Sequence, residues 1–182
     1  MHKAVAAGTY TYRIKARDTS KNESENETTL AVTIAAPTLS DGVAVFAGED
    51  VEISWTEATA GNFALADYAV YMGATFGTAT LLAAQKGTTF KQHVSWSGAR
   101  NFWIVARDIA GNSSAELLIQ AVVTPPGAVS GLFAKVINNN VIIDWTQPSV
   151  GTLPIAGYRV LKGAVYASAV LQGTINATYT AL

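Results

Sequence analysis

Few side chains in this sequence have chemistry to offer, and those that do stand far apart. The two histidines, His2 and His93, are 91 residues apart, whereas acid–base or metal chemistry needs such groups converging in one pocket. His93 precedes Val94 in a stretch that reads as a strand, where a solvated or hydrogen-bonded imidazole is the structural outcome. Asp41, Glu49 and Asp50 fall beside turns, where carboxylates shape the turn and solubilise it. The loop Asp108-Ile109-Ala110-Gly111-Asn112 has oxygens that calcium could use, but it lacks the dense Asp/Asn/Glu series of a calcium loop. There is no cysteine, hence no thiol nucleophile, disulfide or thiolate metal site. No catalytic residue, metal or cofactor is assigned, and the chain reads as non-enzymatic.

The aromatic residues are the other candidates. Trp55 and Trp145 could stack on sugars, but each closes an alternating stretch, Val51-Glu52-Ile53-Ser54-Trp55 and Val141-Ile142-Ile143-Asp144-Trp145, at its inward phase. Both are therefore read as core, together with Tyr68, Phe102 and Tyr158. Trp103 differs: Phe102, Ile104 and Ala106 take the inward phase and turn it outward. Tyr71 is out of phase with Tyr68 and Val70, so in a sandwich whose third and sixth strands pair it shares that outer face. Such a pair could stack on a glycan or anchor a neighbouring subunit. A sheet-stabilising cross-strand pair, worth roughly 0.2–1 kcal/mol, or a protein contact is favoured over sugar binding. Asn22, Asn26, Asn112 and Asn176 match the N-glycosylation acceptor pattern, which is too short and frequent to assign anything.

The elements that position these residues follow from an internal repeat. Trp55 returns as Trp145, Tyr68 as Tyr158, and Gly8, Tyr12, Ile14, Arg17, Asp18 and Asn22 as Gly98, Phe102, Ile104, Arg107, Asp108 and Asn112, all offset by 90. A fixed period of this size with strand-like content means an array of modules. Its phase gives the end of one module over 1–36, a complete module over 37–126 and the start of another over 127–182. The partial pieces need cover from outside the chain or from a second copy, since two or three strands cannot bury their own apolar face. Within the complete module, seven strands are expected: 39–46, 51–55, 68–73, 78–84, 88–96, 101–107 and 115–123. Ala35-Ala36-Pro37 and Thr124-Pro125-Pro126-Gly127 read as short stiff links.

The strand-two Trp, the strand-three Tyr, the aromatic-x-Ile-x-Ala-Arg-Asp strand and the Asp-x-Ala-Gly-Asn-x-Ser turn resemble a fibronectin type III module. The resemblance implies an all-β, immunoglobulin-like fold of tandem antiparallel β-sandwiches, one complete and two partial. Narrower stretches, Tyr68-x-Val-Tyr-Met-Gly-Ala-Thr-Phe and Trp96-Ser-Gly-Ala-Arg-Asn-Phe-Trp103 among them, resemble modules of lambda-like bacteriophage tail-tip and host-specificity proteins. That implies a structural part of a phage tail tip or fibre within the virion, partnered by other tail proteins or copies of itself as a homo-oligomer, near host glycan or receptor. The alternative is a spacer or carbohydrate-binding module of a secreted bacterial enzyme or surface protein. The Leu-x-Pro-x-x-x-Tyr corner of animal modules is absent, and so is an Arg-Gly-Asp after Arg107, which leaves integrin-style adhesion unsupported.

Charge narrows the partners further. Lys plus Arg number 12 against 13 Asp plus Glu, for a net charge of −1, so the basic excess of a nucleic-acid binder is missing. No apolar run reaches the roughly 18–20 residues that cross a bilayer, so membrane insertion is not expected.

Overall fold

The computed structural model describes residues 6–176, so His2 and the glycosylation pattern ending at Thr178 lie outside the described residues. The described chain is all β, with thirteen strands: β1 (Gly8–Ile14), β2 (Thr28–Ile34), β3 (Gly42–Ala47), β4 (Asp50–Trp55), β5 (Leu65–Met72), β6 (Thr80–Gln85), β7 (Thr89–His93), β8 (Gly98–Asp108), β9 (Leu117–Val123), β10 (Ser130–Ile137), β11 (Asn140–Thr146), β12 (Gly157–Lys162) and β13 (Val170–Asn176). Strands β3-β4-β7 form one sheet and β6-β5-β8-β9 another, while β1-β2, β10-β11 and β12-β13 are two-stranded. Three strands facing four is a fibronectin type III-like sandwich.

Contacts divide the chain into two compact units. The first, residues 1–45, 52–92 and 100–121, holds the β1–β2 hairpin and most of the sandwich. Its core follows from strand alternation: Ile53 and Trp55 on β4, Tyr68 and Val70 on β5, Phe102, Ile104 and Ala106 on β8, Ile119 and Ala121 on β9 are all buried. The two sheets approach closely at their edge, where a side chain on Gly42 of β3 would meet Ile119 Cδ1 at 2.3 Å. Trp55 and Tyr68 pack edge to face at 5.5 Å and 64°. The Tyr68 hydroxyl accepts from the buried Ala58 N–H at 2.8 Å, tying the β4–β5 loop to the core. Trp55 Nε1 is buried without a hydrogen-bond partner, so the indole acts here through its area.

The second unit, residues 46–51, 93–99 and 122–182, contains the hairpins β10–β11 and β12–β13, with Val51, Val94 and Val123 buried. Trp145 and Tyr158 repeat the Trp–Tyr pair at 5.2 Å and 61°. Both rings are half-buried, because among the described residues β12 pairs with β13 alone and no counterpart of β8 lies along its other edge.

Most strand boundaries differ from the sequence expectation by one to three residues, and two of the differences have a clear local reason. The strand expected from Thr78 begins at Thr80, because Phe76–Thr78 form a 3₁₀ turn closed by Thr78 N–H to Thr75 C=O and by paired Thr75 and Thr78 hydroxyls at 2.9 Å. The same turn recurs 90 residues later over Tyr166–Ser168. The strand expected from Ala115 begins at Leu117, because Ser114 bonds back to Ala106 through both its backbone N–H and its hydroxyl.

We expect Trp55→Ala to destabilise the fold by about 3–5 kcal/mol and Trp55→Phe to cost clearly less, since the indole N–H has no acceptor to lose. Tyr68→Phe strands the Ala58 N–H at a cost of about 1–3 kcal/mol. Urea unfolding of the three variants measures the order.

Candidate functional site

The outer face of the β5–β8 pair carries an ion pair and an aromatic cluster. Its register sets Asp67 opposite Arg107, Ala69 opposite Val105 and Tyr71 opposite Trp103. Arg107 grips Asp67 in a two-pronged ion pair, Nε to Oδ1 at 2.6 Å and Nη2 to Oδ2 at 2.8 Å. The hydrogen bond to Asp67 holds the Arg107 guanidinium above its ordinary range against the opposing effect of burial, with the Asp67 charge and Tyr71 adding to the rise. Ala69 and Val105 are buried although they face outward, flanked by this ion pair and the aromatic residues.

At the far end Phe76, from the 3₁₀ turn, sits 5.3 Å from Tyr71 at 85° and 6.2 Å from Trp103 at 53°. The Trp103 indole N–H donates to Gly73 C=O at 3.0 Å. The three rings therefore stand against one another instead of forming one plane, and the single polar atom of the indole is satisfied within the protein. A sugar ring needs a flat, open face for stacking; this cluster is half-buried and turned on itself. The pairing of Tyr71 with Trp103 was readable from strand phase, whereas Phe76 was not, because it arrives from the turn that replaces the expected strand.

The other expected residues are not brought together. His93 Nδ1 lies 3.4 Å from Asp50 Oδ1 on an exposed strand end, and Asp41 holds a left-handed turn position at φ 51°. Among the described residues no group of three or more His, Cys, Asp or Glu stands where it could hold a metal ion. No helix of the described residues is long and apolar enough to cross a membrane.

The Asp108–Asn112 turn has a different task from ligand binding. Asp108 is buried, and its Oδ1 accepts the N–H groups of Ala110 and Asn112 at 2.9 and 2.8 Å while Oδ2 accepts Asn112 Nδ2 at 2.8 Å. Gly111 supplies the left-handed residue at φ 89°. Burial alone would raise the Asp108 pKa, but the hydrogen bonds from Asn112, Ala110 and Gly111 outweigh it and hold the carboxyl below its ordinary value of 3.8. Asp18 and Asn22 repeat this brace atom for atom, with Oδ1 accepting Ser20 and Asn22 N–H and Oδ2 accepting Asn22 Nδ2, each at 2.9 Å. The Asp18 carboxyl is lowered likewise, chiefly by the Asn22 side chain.

Comparison with known proteins gives a relative and a solved structure. Exoglucanase B of Cellulomonas fimi is 30% identical over 197 aligned residues, covering 96% of this chain but 17% of that protein. The chain thus spans about a sixth of the length of the curated relative it matches. A solved structure titled "Structure of FN3tt mut" is 13% identical, covering 48% of this chain and 97% of that one at a TM-score of 0.41. No family model matches the chain.

The lowered Asp108 pKa makes its contribution to stability full above the ordinary carboxylate value, and this is lost as pH falls through the folded value. Asp108→Asn is therefore expected to be less stable than the parent near neutral pH, with the gap narrowing as pH falls below the ordinary carboxylate value and through the lowered folded one. Urea midpoints across that range check both the sign and the window.

Proposed function

We propose that this chain is a non-catalytic spacer segment of a secreted enzyme acting on a polysaccharide. The observation that carries the reading is the alignment of nearly the whole chain with a short portion of an enzyme named as an exoglucanase. A segment that fills a sixth of such a protein, with a fibronectin type III-like sandwich and no converging acids or bases among the described residues, suits distance and orientation better than turnover. Secretion follows from the proposed substrate class, since a polymeric glucan is met outside the cell.

Within this reading the aromatic cluster is structural. Tyr71, Phe76 and Trp103 occupy one another, so the spacer form of the secreted-enzyme reading is preferred to the carbohydrate-binding form. The virion reading, with tail proteins or copies of the chain as partners, rests on sequence resemblance alone, and the exoglucanase alignment favours the secreted enzyme over it.

The 182-residue chain is expected to stay in the supernatant when mixed with cellulose and other insoluble polysaccharides; retention that disappears in Trp103→Ala would establish sugar binding instead. Placed between a glucanase catalytic domain and a cellulose-binding domain, the chain should leave turnover of a soluble oligosaccharide unchanged. On insoluble cellulose it should raise the rate about 2–10-fold over a directly joined pair, through the reach it gives the tethered domains. Equal rates on both substrates would reject the spacer reading.

A further inference from the structure

Both strand ends at one end of the β1–β2 hairpin are held by asparagine side chains of the sandwich. Gly8 and Ile34 are register partners, so Ala7 and Ala35 are the adjacent chain ends just beyond them. The Ala7 N–H donates to Asn112 Oδ1 at 2.6 Å, and the Ala35 N–H donates to Asn62 Oδ1, also at 2.6 Å. Asn62 N–H returns a bond to Ala35 C=O at 3.2 Å. The two asparagines come from different loops, Asn62 between β4 and β5 and Asn112 between β8 and β9. One such attachment leaves a hinge, while two on adjacent strand ends oppose both bending and twisting.

We infer that these loops form a docking surface for the end of a preceding β-sandwich module, gripping it by two backbone N–H groups. Three features support a built site. First, the Asn112 amide is oriented before it docks anything: its Nδ2 is committed to Asp108 Oδ2, which leaves Oδ1 to accept Ala7. Asp108 is thus a positioning residue for the joint. Second, close approach is prepared by glycine, since a side chain on Gly61 would lie 2.1 Å from Ala35 O. Third, the Asn62 half of the arrangement recurs in the second unit, one residue earlier on the strand end. Thr124 N–H donates to Thr152 Oγ1 at 2.8 Å, Thr152 N–H returns to Thr124 C=O at 3.0 Å, and a side chain on Gly151 would lie 2.2 Å from Thr124 O. Gly151 and Thr152 stand 90 residues after Gly61 and Asn62.

The same chemistry identifies a further docking point. Asn22, braced by Asp18 as Asn112 is by Asp108, presents its exposed Oδ1 without a partner among the described residues. The partner it fits is the N–H at the end of another module of this kind. Recognition is through main chain, so it needs a strand end at the right position and no particular side chain.

This inference deepens the spacer reading, and that reading supplies only the use of a stiff joint; the test below involves no polysaccharide, so the two can fail separately. The absence of cysteine allows spin labels on Ser20→Cys and Thr80→Cys in the full chain. A single narrow distance distribution is expected. Asn62→Ala with Asn112→Ala should broaden it at least about twofold, toward the free relative motion that small interfaces allow. Amide exchange gives a second reading: in Asn62→Ala the Ala35 amide should exchange at least about tenfold faster while Ala7 stays protected, a pattern that local opening predicts and global unfolding does not. A broad distribution in the parent, unchanged width in the double variant, or equal acceleration of both amides in Asn62→Ala would overturn the docking surface.

Discussion

A β-sheet two or three strands wide cannot cover its own apolar face, and this constraint sets what each part of the chain is. Equivalent residues show it directly. Ile104 of β8 is 0% exposed and Ile14 of β1, its counterpart 90 residues earlier, is 66% exposed; Ile53 is 0% and Ile143 is 39%. The side chains are the same, and the difference lies in whether strands stand over them. Burying one such isoleucine is worth roughly 1.5–3 kcal/mol, so the stability of the described chain resides in β3–β9, and the flanking hairpins leave apolar side chains exposed.

Local interactions, by contrast, survive without the cover. The Trp–Tyr edge-to-face pair has nearly the same geometry in the covered sandwich and in the β10–β13 hairpins. The Asp–Asn brace is likewise reproduced at Asp18, which is exposed, and at Asp108, which is buried. These motifs depend on contacts within a turn or between neighbouring strands, so each repeat carries its own instructions for shape, and only the burial depends on how many strands surround it. That division of labour suits an array, in which every module forms the same end surfaces whatever follows it.

How far the sequence disclosed this depends on the kind of interaction. Alternation placed Trp55, Tyr68 and Phe102 inside, where they are buried, and strand phase set Tyr71 opposite Trp103, where the register puts them. Period-two patterning reports which face a residue takes, and the repeat supplied the strand equivalences. The Arg107–Asp67 ion pair was not readable, because opposite charges 40 positions apart have no visible partner until the register is known. Phe76 was lost to a turn that hydroxyl pairing imposes on a strand-like stretch. Asn62 and Asn112 were hardest, since a side chain that accepts from a backbone N–H leaves no matching residue type to find. The available signals were the recurrence of Gly61 as Gly151 beside a polar residue and of Asp18 and Asn22 as Asp108 and Asn112.

The aromatic and polar residues thus divide the work differently from a binding protein. Rings that could have met a sugar are spent on one another, with the Trp103 N–H closed onto Gly73, while the side-chain oxygens of two loop asparagines of the sandwich, Asn62 and Asn112, are spent on neighbouring main chain. A hydrogen bond of this kind contributes only about 0.5–1.5 kcal/mol net, far less than an apolar interface of ordinary size, yet its angular demands are strict. A joint made of two or three such bonds fixes orientation while adding little to stability, and it exposes no apolar patch when a neighbour is missing. An array that must hold a set geometry and still avoid sticking to the wrong partner is best served by joints that are weak in energy and demanding in direction.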